Sequence, residues 1–499
     1  MENTLQLDDN AKIFLYCGIG LYILVIVFIG YIAGKRVKGM GDFLVAGRRL
    51  PLWMATATLL ATWFGAGSSM GVASTVYSDG IGGVIADPFA AALSLILAGI
   101  FIVGKLRHLR LLTVTEIIER KYGKWAGVYA SCWLIPVYIG WLGAQVLGIG
   151  TILKMLFDLP ISYGTLIGAG LVLGYTIAGG MWAVTLTDVV QVSLIILGLL
   201  MIVPGAIEQA GGFDTIFAGV PEAHLSLLPH CSSFQDWIYY IGQWCIMGLG
   251  CMVGQDLIQR SLSSRTEKIA TVSAILAGVG YLGIAVVPLT IGFAARLVLP
   301  ELQDTDMLLP LMAGRVLHPI VFTIFLSALL SAIMSSADSS LLAASSLITN
   351  NIIRPFRPHL NERDLLQLTR VFTLMVTIVA LLAALQVQSI YSLMINCWAS
   401  QLVIVFLPVV AALYLKKAGP RNCWSGMLAA TAVWFGALFY LLTFTADGIV
   451  PPLRWAMSDR VMTIASMYGF LAGVFGFLAS YLVDRWSKHI SSPELEANE

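Results

Sequence analysis

The sequence predicts an all-α protein that crosses a membrane many times, and three observations lead to this fold class. Charged residues make up only 11% of the 499 residues, whereas roughly 25% is usual for a soluble globular protein. Hydrophobic residues make up 58%, and the formal net charge is +1, which gives no electrostatic footprint for a nucleic-acid partner. Finally, apolar runs approaching the roughly 20 residues needed to cross a bilayer recur along the whole chain.

Thirteen apolar runs fit this requirement when the shorter ones extend into their polar flanks. In chain order they are Ile13–Ala33, Leu52–Val76, Gly82–Val103, Ala126–Leu153, Ile161–Ala178, Trp182–Val203, Trp237–Val253, Ala270–Ala294, Pro319–Ile348, Val371–Leu385, Ile390–Leu415, Trp424–Phe444 and Val461–Val483. Lys and Arg cluster in alternate loops, and the long loop 204–236 on the other side contains none. Because basic loops tend to lie in the cytoplasm, we expect the N-terminus outside and the C-terminus inside.

Acidic residues interrupt three of the apolar runs: Asp87 in the third, Asp188 in the sixth and Asp338 in the ninth. Ionisable groups within the membrane are costly and usually functional. No Lys or Arg lies at the centre of a predicted span to pair with them, so we expect them to face a cavity and bind a cation. A protonated or hydrogen-bonded structural role is the alternative. Asp256, at the inner end of the seventh span, is expected to be a solvated helix end.

Glycine clusters occur in the second span (61–69) and in the seventh (248–255). Each glycine weakens a helix by about 1 kcal/mol relative to alanine, so both spans are expected to unwind and free backbone carbonyls. In transporters, broken helices at corresponding positions of two inverted halves mark the binding site. Close helix packing through small residues is the alternative.

The ninth span is rich in serine around Asp338. At helical spacing, one face carries Ala332, Ser335, Ser336 and Ser339. Hydroxyl and carbonyl oxygens are hard ligands, so this face suits a small alkali cation. A serine-rich packing seam is the alternative.

Four ordered segments resemble the sodium:solute symporter family, and within it the high-affinity choline transporter branch. They are Ala61-Thr62-Trp63 followed by Gly65 and Gly67, Thr187-Asp188-Val189-Val190-Gln191, Gln259-Arg260 with Leu262-Ser263-Ser264, and Met334-Ser335-Ser336-Ala337-Asp338-Ser339-Ser340. The resemblance implies the inverted-repeat fold shared with bacterial leucine transporters. It divides the chain into an extra first helix with an inner loop (1–50), two inverted five-helix repeats (51–208 and 234–415), and two accessory helices with a cytoplasmic tail (416–499).

The resemblance also implies where ions and substrate bind, with sodium as the only metal. A sodium site would use the carbonyls of Ala61, Phe64 and Ala332 and the hydroxyls of Ser335 and Ser336. A second cation site would use Asp188, Ser335, Asp338 and Ser339. Trp63 and Trp141 match aromatic positions of the choline branch, and we expect the substrate to contact them together with Asp87, Gln255 and Trp398. Choline recognition needs an aromatic cage, but Gly254 stands where the choline branch has tryptophan, and Gly254-Gln255 resembles proline transporters instead.

We therefore expect a sodium-coupled symporter, not an enzyme, that imports a small amine or quaternary ammonium cation or a zwitterion such as choline. A proline-like amino acid or a monocarboxylate is the alternative substrate. A channel or a non-transporting sensor is the alternative class, and the absence of a GxxxxGK[ST] motif argues against an ATP-driven pump. The expected partners are a small-molecule substrate and the lipids of a plasma or inner membrane. The sequence does not predict the oligomeric state.

Overall fold

The computed structural model describes residues 9–228, 233–386, 398–444 and 459–491, and its regular elements are helical. The helices that position the site are α1 (Asp9–Gly34), α2 (Leu52–Trp63), α3 (Val72–Asp79), α4 (Ile81–His108), α5 (Lys124–Phe157), α6 (Ile161–Gln209), α7 (Phe234–Gly248), α8 (Gln255–Ser263), α9 (Glu267–Val298), α10 (Pro319–Phe356), α11 (Glu362–Ala384), α12 (Trp398–Tyr414), α13 (Pro420–Phe444) and α14 (Asp459–Ser491). Short helices in the connections are Met40–Val45, Thr115–Tyr122, Phe213–Gly219, Glu222–Leu225 and Leu308–Val316. Nine helices within the described residues are long and apolar enough to cross a membrane. The predicted all-α class and multi-pass membrane location are confirmed.

Two predicted spans, the fifth and the sixth, are joined in the single long helix α6. This helix bends at Gly180, whose backbone angles are φ 50° and ψ −142°. A Cβ atom at this position would lie 2.5 Å from the Phe43 carbonyl oxygen, so the bend packs closely against the segment between α1 and α2. α6 also continues to Gln209, so the loop predicted to begin at Pro204 starts later than expected.

Two other predicted spans, the second and the seventh, are interrupted at their glycine clusters. The second is divided into α2 and α3, and the seventh into α7 and α8. The predicted unwinding is therefore confirmed in both spans. In the predicted eleventh span, residues 390–397 lie outside the described residues. The tenth span begins at Glu362 and so extends into its polar flank, as expected.

The helix α10 forms the centre of the bundle, where it packs against α1, α5, α6 and α11. Every side chain from Phe325 to Leu347 is buried, including the serines and Asp338. By contrast, Leu21, Leu24 and Phe28 on α1 are more than 60% exposed. Apolar side chains exposed on a spanning helix face lipid, whereas polar groups turn to the bundle interior. The serine face of α10 therefore lies inside the protein.

The loop before α2 is joined to the end of α8 by an isolated backbone bridge between Leu50 and Ser264. Leu50 N donates to Ser263 O at 3.0 Å, and Arg265 N donates to Leu50 O at 2.9 Å. Arg107 Nε adds a hydrogen bond to Ser264 O at 2.7 Å. The two interrupted spans are thus attached to each other at the face of the bundle where basic loops gather.

Candidate functional site

The first interruption brings the backbone beyond α2 against α10. Phe64 has backbone angles φ −93° and ψ 79°, which end the helix. A Cβ atom at Gly65 would lie 2.3 Å from Ser336 Oγ and 2.7 Å from Gln145 Oε1, so glycine is required for this close approach. Gln145 Oε1 accepts a hydrogen bond from Ala66 N at 2.9 Å. This bond satisfies an amide that the broken helix leaves without its usual carbonyl partner.

One of the expected sodium ligands, Ser336, contacts the end of α2. Ser336 Oγ donates a hydrogen bond to Thr62 O at 2.6 Å. Phe64 and Ala332 both line a small cavity of about 10 Å³ between α2, α6 and α10. Ala61 is completely buried in the last turn of α2. The structure therefore places the serine face of α10 against the end of α2.

The residues expected to form a second cation site lie together between α6 and α10. We call Asp188, Ser335, Asp338 and Ser339 the acidic cluster; all four are fully buried. Asp188 accepts a hydrogen bond from Ser335 Oγ. Asp338 Oδ2 accepts one from Tyr175 OH at 2.9 Å, and Asp338 Oδ1 lies 3.1 Å from Ser339 Oγ. The cluster thus combines two carboxylates with hydroxyl groups away from water.

The side chain of Arg260 enters the acidic cluster from α8. Its Nη2 atom lies 3.7 Å from Asp188 Oδ2 and donates a hydrogen bond to Ser339 Oγ. Arg260 and Asp188 side chains have no exposed surface. The expectation that no Arg pairs with these acids is therefore wrong. Because α8 restarts after an interruption, a residue that a straight span would place near its inner end reaches the bundle interior.

The second interruption separates α7 from α8. A short turn covers Gly250–Val253, and Gly254 is extended with φ −60° and ψ 135°. Gln255 N, the first amide of α8, donates a hydrogen bond to Tyr138 OH. The first amides of a helix have no partner within the helix, so this phenol from α5 caps the restarted helix.

Asp256 follows the second interruption and faces the first one. Its Oδ2 atom accepts a hydrogen bond from Trp63 Nε1 at 2.8 Å, and its Oδ1 atom accepts one from Tyr138 OH at 2.9 Å. The residue is only 4% exposed. The expectation of a solvated helix end is therefore wrong, for the same reason as for Arg260: α8 begins inside the bundle.

A small cavity of about 10 Å³, room for about one water molecule, lies between the two interruptions. Its lining consists of Trp63, Trp141, Met247, Cys251, Asp256, Trp398 and Gln401. The rings of Trp141 and Trp398 meet edge to face, with centroids 5.8 Å apart. Gln401 is buried, and its Oε1 atom has no hydrogen-bond partner among the described residues. We call this space the tryptophan cavity.

Asp87 does not line the tryptophan cavity, although it was expected to contact substrate. It is 1% exposed and accepts hydrogen bonds from Tyr281 OH and from Ser68 Oγ, the latter at 2.7 Å. Ser68 Oγ also lies 2.9 Å from Trp63 O. This carboxylate therefore holds the backbone of the first interruption.

Gln255 also lies outside the cavity lining. Its Oε1 atom accepts a hydrogen bond from Val114 N at 2.7 Å, and its Nε2 atom donates one to Ser346 Oγ at 3.2 Å. Both contacts fix the start of α8 against neighbouring elements.

Four site residues were missed or misjudged from the sequence. Asp256 and Arg260 carried a usable signal, because residues four apart on a helix share one face and both follow a glycine cluster. Tyr138 and Gln401 carried none: each is a single polar residue in an apolar run, and its place in the site depends on packing against a distant part of the chain.

Comparison with known proteins identifies the relatives of this chain. The family model that matches is the sodium:solute symporter family, over residues 43–430. The high-affinity choline transporter 1 of Torpedo marmorata is 30% identical over 82% of this chain and 74% of its own length. The sodium/proline symporter 2 of Staphylococcus saprophyticus is 25% identical over 95% of this chain and 93% of its own length.

Among solved structures, a Na+-coupled sialic acid symporter in a substrate-bound outward-open state superposes with a TM-score of 0.77. The identity is 19%, and the match covers 94% of this chain and 97% of the other, so the two share a fold. The family match spans most of the chain, and it confirms the predicted sodium-coupled symporter over an enzyme or an unrelated channel. The chain belongs to the sodium:solute symporter family.

Proposed function

We propose that this symporter imports a small organic cation or zwitterion carrying an amine or quaternary ammonium group, and choline is our first candidate. The observation that carries the proposal is the tryptophan cavity, whose wall combines three indole rings with the carboxylate of Asp256. The similarity to high-affinity choline transporters supports the same substrate class.

The chemistry of the cavity favours positive charge. A cation over the face of a desolvated indole gains about 2 kcal/mol or more. Asp256 is almost fully buried, and attraction between buried charges is screened much less than attraction at a surface. Among the described residues, the cavity lining includes no Lys or Arg. A simple anion would therefore meet the Asp256 carboxylate with no described cation in the cavity wall.

Gln401 supports a substrate that can also donate a hydrogen bond. A buried acceptor without a partner costs about 1–3 kcal/mol, and a hydroxyl or ammonium N–H of the substrate would satisfy Gln401 Oε1. A Cβ atom at Gly254 would lie 2.8 Å from Asp256 Oδ1 and 3.3 Å from Gln401 Oε1. A tryptophan at this position, as in the choline branch, would displace these groups, and we propose that Trp398 contributes to the aromatic cage instead.

A proline-like amino acid is the second candidate, because Gly254-Gln255 resembles proline transporters and a proline symporter is among the relatives. The ammonium group of an amino acid would face Asp256. Its carboxylate would bind backbone amides at a helix interruption, as anionic groups do in other transporters with broken helices. A monocarboxylate has no group for Asp256, so we do not favour it.

We propose that sodium binds where α2 and α10 meet. Its ligands would be the carbonyls of Ala61, Phe64 and Ala332 and the hydroxyls of Ser335 and Ser336. The contact between Ser336 Oγ and Thr62 O supports this position, because it brings the serine face of α10 to the broken end of α2. Sodium there would link the two helices and stabilise one arrangement of the interruption.

Trp63, Trp141 and Trp398 retain their proposed role as substrate contacts, and Asp256 and Gln401 join them. Asp87 and Gln255 would act indirectly. Asp87 holds the backbone near Trp63 through Ser68, and Gln255 fixes the start of α8.

For the topology we propose thirteen spans with the N-terminus outside and the C-terminus inside. The bend at Gly180 would divide α6 into two spans, and the interrupted second and seventh spans would each count as one. The interruptions lie five spans apart, which supports inverted repeats at 51–208 and 234–415. The alternating basic loops support the orientation.

Transport would proceed by alternating access. Sodium would bind first and hold α2 against α10, and the tryptophan cavity would then widen to take up the substrate. Ligands shift such an equilibrium only through their different affinities for the two states. Sodium and substrate would therefore be coupled because both stabilise the same arrangement of the two interruptions.

Uptake by purified protein in proteoliposomes tests this function. Radiolabelled choline, glycine betaine, proline and acetate are compared under an inward sodium gradient, with equimolar potassium as the control. We expect sodium-driven accumulation of choline or another amine-bearing compound and none of acetate. A protonophore should not abolish accumulation, which separates sodium coupling from proton coupling.

Sodium-driven acetate uptake without uptake of any amine-bearing compound would contradict the proposed substrate class. Equal uptake in potassium would contradict sodium coupling.

A further inference from the structure

The acidic cluster contains two carboxylates that belong to the ion-binding half of the site. Resemblance alone assigned these residues to a second sodium ion. In the structure, however, the protein's own cation is in contact with two of the four: Arg260 Nη2 lies 3.7 Å from Asp188 Oδ2 and donates a hydrogen bond to Ser339 Oγ. The place expected for a second sodium is therefore in contact with a guanidinium.

We propose that Arg260 is a tethered cation that replaces the second sodium ion, so that one sodium ion binds per chain. This inference rests on the proposed sodium site between α2 and α10. It goes beyond that site because it assigns the sodium stoichiometry and the residue that sets it.

The count of buried charges supports a single sodium. The Asp188 carboxylate is already paired with the positive charge of Arg260, and Asp338 is the carboxylate of the cluster that forms no ion pair among the described residues. One sodium at Ser335 and Ser336, within one helical turn of Asp338, would supply the second positive charge. A second sodium would add an uncompensated positive charge in a region with no exposed surface, and burying such a charge is strongly unfavourable.

The geometry also explains why Arg260 is suited to this role. Ser339 belongs to the serine face of α10, and Thr58 and Thr62 of α2 reach the same region, where Thr62 Oγ1 lies 3.2 Å from Ser339 Oγ. The guanidinium therefore enters among the oxygen groups that a metal ion would otherwise use. Its Nε atom has no hydrogen-bond partner among the described residues, so its interactions are concentrated on the terminal nitrogens that face the cluster.

Arg260 is connected to the tryptophan cavity through its own helix. It lies four residues after Asp256 on α8, and Arg260 Nη1 contacts Asp256 O at 3.4 Å. A change in which cation compensates Asp188 would therefore be transmitted to the residue that faces the substrate. A change in substrate affinity should therefore accompany a change in the number of bound sodium ions.

The test is equilibrium binding of ²²Na⁺ to purified wild-type protein and to the Arg260→Lys and Arg260→Gln variants. Wild type and Arg260→Lys, which keep the positive charge, should each bind one sodium ion per chain. Arg260→Gln leaves two carboxylates uncompensated and should bind two. The Hill coefficient for sodium, which is limited by the number of sites, should rise from about one toward about two.

Two sodium ions bound to wild type, or one bound to a folded Arg260→Gln variant, would overturn the inference. The wild-type count decides the matter even where Arg260→Gln does not fold. No sodium bound to wild type would overturn the proposed sodium site and this inference with it, whereas a wild-type count of two would overturn the inference alone.

Discussion

The acidic cluster and the tryptophan cavity both contain buried carboxylates, yet the direct partners of the carboxylate oxygens differ. The Asp188 carboxylate is paired with Arg260 and hydrogen-bonded to hydroxyl groups. The Asp256 carboxylate accepts hydrogen bonds from an indole N–H and a phenol and lines the tryptophan cavity, while Arg260 contacts the Asp256 backbone oxygen. One short helix, α8, contributes to both regions.

This difference shows how partners decide what a buried acid can do. A carboxylate beside a fixed cation already has its charge compensated, so it mainly contributes to structure and to the selection of ions. A carboxylate held by neutral donors keeps its negative charge available to a ligand. The two regions should therefore respond differently when the same conservative change removes an acid, and four predictions follow that contrast.

The largest effect should come from Asp188→Asn, and it should be an effect on stability. Removing one partner of a buried ion pair leaves the other charge uncompensated and costs about 3–5 kcal/mol. We expect a clearly lower thermal midpoint and a lower yield of folded protein, measured by the thermal unfolding of detergent-purified samples.

Asp87→Asn is the matched control, because Asp87 accepts hydrogen bonds from hydroxyl groups and forms no ion pair among the described residues. Adding Arg260→Gln to Asp188→Asn should recover part of the loss, as neighbouring groups in one network are not additive. Equal stability of Asp188→Asn and Asp87→Asn would show that Arg260 does not depend on Asp188.

A smaller effect, on substrate binding rather than on stability, is expected for Asp256→Asn. Losing the charge that faces the cation should cost about 2 kcal/mol, which corresponds to roughly a thirtyfold higher KM. Uptake kinetics should show this change with a much smaller change in the sodium concentration that gives half-maximal rate. Asp87→Asn should raise KM less, since Asp87 lies outside the cavity lining; the reverse order would mean that Asp87 is the substrate's counter-charge.

Sodium affinity should fall in Ser335→Ala and in Ser336→Ala. Loss of one oxygen ligand in a buried site should cost about 1–3 kcal/mol, or roughly 5- to 160-fold in affinity. Ser340→Ala provides the control on the same helix, because its buried hydroxyl donates to Ala337 O within α10. Unchanged sodium dependence of uptake in both ligand variants would remove these serines from the site.

The smallest effect should come from Trp63→Phe, which keeps an aromatic face but removes the hydrogen bond to Asp256. We expect a cost of about 1 kcal/mol, or roughly a fivefold higher KM. Trp141→Phe leaves that hydrogen bond intact and should change KM less. A larger loss in Trp141→Phe would indicate that its ring, and not the orientation of Asp256, limits binding.

Much of the architecture could be predicted from local features of the sequence. Length and hydropathy predicted an all-helical protein that crosses the membrane many times, and the glycine clusters predicted both interruptions, because clustered glycine weakens a helix whatever packs around it. The serine spacing on α10 likewise placed the hydroxyls of Ser335, Ser336 and Ser339 on one face. These features depend on the helix itself, so the sequence contains them.

The missed features depend on where a broken helix restarts. The sequence predicts Asp256 at the solvated end of a straight span and Arg260 in the basic loop that follows it. Instead, α8 restarts inside the bundle, so both residues are buried. Asp256 lies at the tryptophan cavity and Arg260 lies in the acidic cluster. Likewise, the continuity of α6 through Gly180 depends on its fit around Phe43, which comes from a distant part of the chain.

The bridge between Leu50 and Ser264 has a consequence for how tightly transport is coupled. It fastens the loop entering α2 to the loop leaving α8, so a rocking movement would turn both half-helices together. The ion ligands on α2 and the carboxylate of Asp256 on α8 would then keep their spacing while their access changes sides. A transporter built this way would resist slippage, in which sodium crosses the membrane without substrate. Neither half-helix could move alone without breaking the backbone hydrogen bonds at Leu50, each worth about 1 kcal/mol.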